Sequence, residues 1–83
     1  MITRDIMKIW VLEALKSLGG KGWPVEVSKY IWEHYEKELK KSGNILYTWQ
    51  YDIRWAAQSL RNEEKLKPVN NRRDLPWELT NLN

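Results

Sequence analysis

The segment that decides the fold runs from Thr48 to Glu64 and reads TWQYDIRWAAQSLRNEE. Apolar side chains recur in it every three or four residues, the period of a helix with one buried face. The predicted inward residues are Trp49, Ile53, Ala56, Ala57 and Leu60. Thr48 is the candidate N-cap, and Asp52 follows near the positive end of the helix dipole. The small Ala56-Ala57 pair predicts close approach by another helix.

Two helices are predicted before this segment. The first is capped by Thr3 or Asp5 and ends at Gly19-Gly20. Its predicted buried residues are Ile6, Ile9, Trp10, Ala14, Leu15 and Leu18. The second helix begins at Pro24, because proline is tolerated at the first helical position, and ends in the polar segment 40–44. Its predicted buried stripe is Val27, Ile31, Tyr35 and Leu39.

The chain after the third helix has the pattern of a β-hairpin. The candidate strands are 66–69 and 76–80, of which the second alternates like a half-buried strand. Between them lies a polar tip that carries Arg72 and Arg73. Residues 21–24 are too short for a strand pair but can supply one extended edge.

Three helices, a short extended piece after the first and a terminal hairpin form the element order of a winged helix-turn-helix. We therefore predict one α+β domain over residues 1–83, a small winged helix-turn-helix whose C-terminal β-hairpin is the wing. The stretch after the first helix is the candidate for one short extra strand.

Composition excludes several classes of protein. A chain with no cysteine and one histidine holds no disulfide framework, thiol chemistry or cysteine-containing zinc site. With 42% apolar and 30% charged residues it is too hydrophobic for a disordered chain. No apolar run approaches the roughly 20 residues of a membrane helix, and the N-terminus lacks the order of a secretory signal. We expect a cytoplasmic protein with no membrane partner and no cofactor.

The net charge of +3 is placed unevenly. Residues 1–38 hold six basic and six acidic side chains, whereas residues 39–83 hold eight basic and five acidic ones, a surplus of three. A basic half favours a polyanionic partner, although the same charge in a small lysine-rich protein also serves solubility.

The residues Tyr51-Asp52-Ile53-Arg54-Trp55-Ala56, with Leu60 and Leu66, and the segment Pro76-Trp77-Glu78-Leu79-Thr80 carry a resemblance. The sequence resembles the N-terminal winged-helix domain of Mrr-type restriction proteins and is similar to winged helices attached to HNH endonucleases. It departs from that family at two turns. Glu63-Glu64-Lys65-Leu66 replaces the common Ala-Gly-Leu-Leu, and Leu75-Pro76 replaces the usual glycine before the strand tryptophan.

The resemblance implies a reader of double-stranded DNA that serves as the specificity domain of a restriction-type nuclease. Some relatives look like sensors of modified bases, including N6-methyladenine. The chain itself carries no catalytic constellation, so we expect no enzyme activity and either a fused C-terminal nuclease domain or a free-standing reader.

The N-terminal half of the third helix supplies the predicted base contacts, because that end of a recognition helix faces base edges in the major groove. They are Tyr47, Thr48, Trp49, Gln50, Tyr51 and Arg54. Gln50 suits adenine N6 and N7, and Arg54 suits guanine O6 and N7. The predicted phosphate and wing contacts are Lys40, Lys41, Gln58, Arg61, Lys67, Arg72 and Arg73.

The aromatic residues divide between core and surface. Trp10, Trp55 and Trp77 are predicted to be buried, and Trp23 and Trp32 are left open. Trp49 either closes the core or lines a groove-facing pocket, with the core favoured. His34 is expected at the surface or half-buried, without a ligand role. The competing interpretation is a protein-interaction winged helix, in which exposed aromatic residues dock a partner and the basic charge is incidental.

Overall fold

Three helices and two short strands make up the computed structural model, which describes residues 2–69 and 74–80. In chain order the elements are α1 (Arg4–Ser17), β1 (Lys21–Gly22), α2 (Pro24–Lys40), α3 (Ile45–Asn62) and β2 (Trp77–Glu78). The predicted α+β class is confirmed.

The ends of α1 lie where the sequence places them. Thr3 is the N-cap, and its hydroxyl accepts a hydrogen bond from the Ile6 backbone N–H at 3.4 Å. At the other end Gly19 adopts a φ of 89°, and the Gly20 N–H donates to the Leu15 carbonyl at 2.7 Å. A left-handed residue after the last turn is the usual helix stop, and glycine adopts it without steric cost.

The buried face of α1 differs from the prediction. The buried residues are Met7, Trp10, Val11, Ala14 and Leu15. The predicted Ile9 is 62% exposed and Leu18 is also exposed, so both assignments to the core are wrong. Two residues along a helix turn the side chain by about 200°, so a helix that buries Met7 and Val11 must turn Ile9 outward.

α2 starts at Pro24 as predicted, with the Trp23 N–H donating to Glu26 Oε1 at 2.8 Å. Val27, Ile31 and Leu39 are buried, as the stripe predicted. The fourth member, Tyr35, is only half-buried, because α2 has a kink there, with φ −128° and ψ 19°.

α3 begins three residues earlier than predicted. Thr48 is not its cap, since the hydroxyl of Thr48 lies inside the helix and donates to Asp52 Oδ2 at 3.0 Å. Gly43, with a φ of 72°, turns the chain between α2 and α3, and half-buried Ile45 and Leu46 follow in the first turn. Partial burial of these two residues, which no capping rule detects, accounts for the earlier start.

All five predicted inward residues of α3 are buried, and α3 packs chiefly against α1. The helix ends at Asn62, two residues before the predicted Glu64. Glu64 has a φ of 64°, and the Lys65 N–H donates to the Leu60 carbonyl at 2.8 Å. Glu64 is therefore the left-handed residue of this turn, a conformation that glycine adopts at lower steric cost.

The two strands pair antiparallel, with Lys21 opposite Glu78 and Gly22 opposite Trp77. The predicted extra strand after α1 is thus present. On the other side of β2, Leu66 and Leu79 form a bridge and the Lys67 N–H donates to the Glu78 carbonyl at 2.8 Å. The predicted hairpin pairing is present at these residues, but the strands are shorter than the predicted 66–69 and 76–80: Leu66 forms an isolated bridge and β2 covers Trp77–Glu78. Residues 70–73 of the predicted tip lie outside the described residues.

The tryptophans predicted for the core are mostly there. Trp10 and Trp77 are buried, and Trp55 is half-buried beneath the Arg4 guanidinium, 4.9 Å from the ring centre. Trp49 is 6% exposed, which confirms that it packs inward. Arg4 Nε also lies 3.5 Å from Oδ1 of the buried Asp52, so the start of α1 is held to α3.

Glu13 holds α1 to α2 through two tyrosines. The Tyr35 hydroxyl lies 2.8 and 2.7 Å from its two carboxylate oxygens, and the Tyr30 hydroxyl donates to Oε2 at 3.0 Å. The Tyr35 ring also stacks on Trp10 at 4.1 Å. The hydrogen bond to Glu13, with burial, raises the pKa of Tyr35 to about 12, and burial with the same carboxylate raises the pKa of Tyr30.

A matched isoleucine pair tests the core assignment. Ile53, which is 1% exposed, should lose about 2–5 kcal/mol of unfolding free energy on substitution by alanine, because a cavity remains. Ile9→Ala should change the unfolding free energy by less than about 0.5 kcal/mol. Urea unfolding measures both, and equal losses would contradict the burial described for α1.

Alkaline titration tests the Glu13 contact. A tyrosine in the unfolded chain loses its proton near pH 10, whereas Tyr35 keeps its proton until about pH 12. The unfolded state therefore releases this proton first, so the stabilising contribution is complete below pH 10 and is lost as the pH rises towards 12. Tyrosinate absorbance should show a late step that Tyr35→Phe makes smaller, since Tyr30, whose pKa is also raised, remains, and that Glu13→Gln shifts to lower pH. Tyr47→Phe is the control and should leave the late step at full size. A late step of unchanged size in Tyr35→Phe would contradict the assignment to Tyr35.

Candidate nucleic-acid interface

The outer face of α3 carries a row of exposed side chains at helical spacing. Tyr47 is 83% exposed and Tyr51 75% exposed, and Gln50 and Arg54 are exposed with them. Within residues 2–69 and 74–80, these four side chains form no hydrogen bond, ion pair or ring contact. The inner face of the same helix is buried, so packing fixes the direction in which this row points.

Beside this row lies a groove between α2 and α3. It consists of two cavities, of about 490 and 220 Å³. Val25, Ser28 and Gln50 line both of them, so the two are adjacent. The remaining lining residues are Lys29, Trp32, Leu46 and Trp49 in the larger cavity and Pro24, Ile53 and Arg54 in the smaller one. We call the whole the α2–α3 groove, and none of its lining residues is acidic.

Two indole rings line the larger cavity. Trp32 and Trp49 have centroids 5.9 Å apart and planes within 14° of parallel. Lys40 Nζ lies 6.0 Å from the Trp32 ring centre and forms an ion pair of 2.6 Å with Glu36. The core alternative for Trp49 is therefore confirmed, and its buried ring also contributes to the wall of the larger cavity.

The predicted base contacts are brought together in part. Gln50 and Trp49 line the larger cavity, and Gln50 and Arg54 line the smaller one. Tyr47 and Tyr51 stand on the exposed row and line neither cavity. Thr48 is exposed, but its hydroxyl is engaged by Asp52.

The predicted phosphate contacts are more scattered. Lys67 pairs with Glu78 at 2.9 Å, and this contact lowers the pKa of the Glu78 carboxyl. Arg61 Nη1 donates to Gln58 Oε1 at 3.0 Å, and Arg61 Nε is buried without a hydrogen-bond partner in the part of the chain described. Burial lowers the pKa of Arg61.

Lys41 differs from these residues, because its exposed side chain has no ion pair within the described ranges. It borders a separate cavity with Ile2 and Glu38. Arg72 and Arg73, the predicted wing contacts, lie outside the described residues. The base-contact candidates therefore lie together in part, on the exposed row of α3 and along the groove, whereas the phosphate candidates that the structure describes lie apart from one another.

The described residues contain no group of three histidine, cysteine or carboxylate side chains that could bind a metal ion. His34 is exposed as predicted, with Nδ1 2.9 Å from the Tyr30 carbonyl and its ring stacked on Tyr30 at 3.9 Å. No helix in residues 2–69 or 74–80 is long and apolar enough to cross a membrane.

Sequence reasoning missed the α2 side of the groove. Val25, Ser28, Lys29 and Trp32 stand at spacings of three, four and seven residues along α2, which places them on one helix face. That face is distinct from the buried stripe, and its apolar members, Val25 and Trp32, were the available signal. A second apolar row on an otherwise polar side of a helix indicates a surface beyond the core.

No protein-family model, curated protein or solved structure matches this chain. The exposed row of α3 and the groove beside it are therefore the observations that bear on function.

Proposed function

We propose that the domain is a winged helix-turn-helix that binds double-stranded DNA with the N-terminal half of α3 in the major groove. The observation that supports this proposal is the row Tyr47, Gln50, Tyr51 and Arg54, which is exposed and unengaged within the described residues. Two large aromatic rings on the solvent side of a helix leave apolar area in water that a binding partner would cover. A neighbouring amide and guanidinium supply donors and acceptors for base edges.

The chemistry of this row suits base recognition. The Gln50 amide both donates and accepts, which matches N6 and N7 of adenine, whereas the Arg54 guanidinium only donates, which matches O6 and N7 of guanine. Each such bidentate contact discriminates between bases by about 1–3 kcal/mol. Because neither side chain has a partner in the described part of the chain, DNA contact breaks no existing ion pair at these positions.

Phosphate contacts position the duplex in this proposal. Lys41 is directly available, and Lys40 and Lys67 become available by exchanging exposed carboxylate partners, which costs little because surface ion pairs are weak. The hairpin formed by residues 65–67 and β2 serves as the wing in this proposal, and Arg72 and Arg73, which lie outside the described residues, are its candidate phosphate contacts.

The second part of the proposal concerns the kind of site. As the specificity domain of a restriction-type nuclease, the chain would prefer DNA that carries N6-methyladenine. Methylation leaves adenine N7 and one N6 hydrogen for Gln50 and adds an apolar group in the major groove. The exposed rings of Tyr47 and Tyr51 flank Gln50 along α3 and offer that group an apolar surface.

The same exposed rings also favour a second candidate function, the docking of a protein partner. Trp23 and Val25 extend the exposed apolar surface onto the start of α2. The salt dependence separates the two functions, because only phosphate neutralisation releases condensed counterions and gives a steep fall in affinity for duplex DNA as salt increases.

Substitutions in α3 should alter sequence preference. Gln50→Ala and Arg54→Ala are expected to change the ranking of duplexes measured by fluorescence anisotropy, because base-edge contacts discriminate between sequences. Arg72→Ala with Arg73→Ala should weaken all duplexes by a similar factor and flatten the salt slope. Lys16→Ala, an exposed cation on α1, is the control and should change neither. If the ranking is the same in both α3 variants, another face of the domain binds DNA.

Adenine methylation should increase affinity. Contact of one methyl group with a tyrosine ring contributes about 1 kcal/mol, a several-fold change in Kd for each modified base. Titration at fixed salt of matched duplexes, unmodified, methylated on one strand and methylated on both, measures the effect. Tyr47→Ala and Tyr51→Ala should reduce it. Equal affinity for the three duplexes would reject the modified-base proposal and leave DNA binding intact.

A further inference from the structure

The α2–α3 groove shares Gln50 and Arg54 with the exposed row of α3 and adds features of its own. Its wall contains the indoles of Trp32 and Trp49, whose planes lie within 14° of parallel. Ser28 and Lys29 line it from α2, and their side chains form no hydrogen bond or ion pair with the residues described. Gln50 faces both halves of the groove from α3.

The charges around the groove favour a ligand that carries a negative charge. Lys29 lines the larger cavity, Arg54 lines the smaller one, and neither cavity has a carboxylate in its wall. A purely apolar side chain of a protein partner would satisfy the tryptophans but leave the amide and both cations unpaired. An occupant with a flat ring, a hydrogen-bonding edge and an adjacent negative charge satisfies all of them, and a nucleotide has this combination.

We propose that the α2–α3 groove holds one unpaired nucleobase of a DNA strand. The base lies against the half-buried Trp32 ring, its edge meets the Gln50 amide, and its phosphate meets Lys29. This inference rests on the proposed DNA-binding function and adds an adjoining site that shares Gln50 with the duplex-facing row, so that Gln50 contacts either a paired or an unpaired base. Stacking on an aromatic ring is tolerant of base identity, so the groove recognises the absence of pairing and not the sequence.

The test compares a fully paired duplex with the same duplex carrying a single-nucleotide bulge, by fluorescence anisotropy at fixed salt. The bulged duplex should bind about fivefold tighter or more, as stacking of one base on an aromatic side chain allows. In Trp32→Leu and in Lys29→Ala the ratio of the two affinities should fall towards one. Trp23→Leu, which removes an exposed tryptophan outside the groove lining, is the matched control and should retain the preference.

Two further measurements separate the proposal from a folding defect and from a free-nucleotide site. Circular dichroism shows whether Trp32→Leu is folded, and Lys29→Ala, an exposed substitution, gives the answer if it is not. A parallel NMR titration with deoxyadenosine monophosphate follows the Trp32 indole N–H, identified by its absence in Trp32→Leu. Movement of that signal together with a preference for the bulged duplex supports the proposal. Movement without such a preference would overturn it in favour of a free-nucleotide site.

The possible failures are distinguishable. Equal affinity for paired and bulged duplexes would reject the groove as a nucleobase site and leave the DNA-binding function standing. A preference for the bulge that survives in the folded Trp32→Leu and Lys29→Ala proteins would place the unpaired base elsewhere. Absence of binding to either duplex would reject the proposed function itself.

Discussion

Burial of the inner face of α3 is the constraint on which the rest of the structure depends. Ile53, Ala56, Ala57 and Leu60 are buried, and the two alanines leave no side chain beyond Cβ to separate α3 from its neighbours. Because a helix is rigid, packing of one face determines where the opposite face points. The exposed row from Tyr47 to Arg54 is therefore held in place by the core, although its own side chains have no partners among the described residues.

Polar contacts also position the helices, and the two sets of contacts described above each involve α1. Asp52 joins α3 to Arg4, and Glu13 joins α2 to α1 through Tyr30 and Tyr35. The walls of the α2–α3 groove are thus each tied to the same helix. The hydrogen bonds of the two tyrosines to the Glu13 carboxylate are charge-assisted, a class that is stronger than neutral hydrogen bonds and defines a geometry.

The elements that the sequence predicted correctly were those determined by strong local patterns. Pro24 and Gly19-Gly20 were correctly placed as boundaries because backbone sterics act there irrespective of tertiary contacts. The inner face of α3 was correct because its apolar residues allow only one face. The buried face of α1 was predicted partly wrongly because the helix has apolar residues in two overlapping rows, one with Ile9 and one with Met7, and only contact with the other helices decides between them.

In the candidate site, too, the features set by one helix were predicted and those set by contacts between elements were not. The α3 row was predicted because an exposed polar face remains once the buried one is known. The groove was not, since its walls come from two helices and no spacing within one helix reports their separation. The ion pair of Lys67 was not predicted either, because Glu78 approaches Lys67 only through the pairing of residues 66–67 with 78–79.

The distribution of charge limits how the proposed interface can work. Of the cations that the structure describes, Arg54 is the one on the exposed row of α3, and those paired with carboxylates are Arg4, Lys8, Lys40, Lys65 and Lys67. Non-specific affinity for DNA comes almost entirely from neutralised phosphates. In the proposed interface Lys41 and Arg54 are available for phosphate or base contacts without losing a partner among the described residues, whereas Lys40 and Lys67 contribute only on giving up a carboxylate. Discrimination between sequences then depends on the side chains of the exposed row, Tyr47, Gln50, Tyr51 and Arg54.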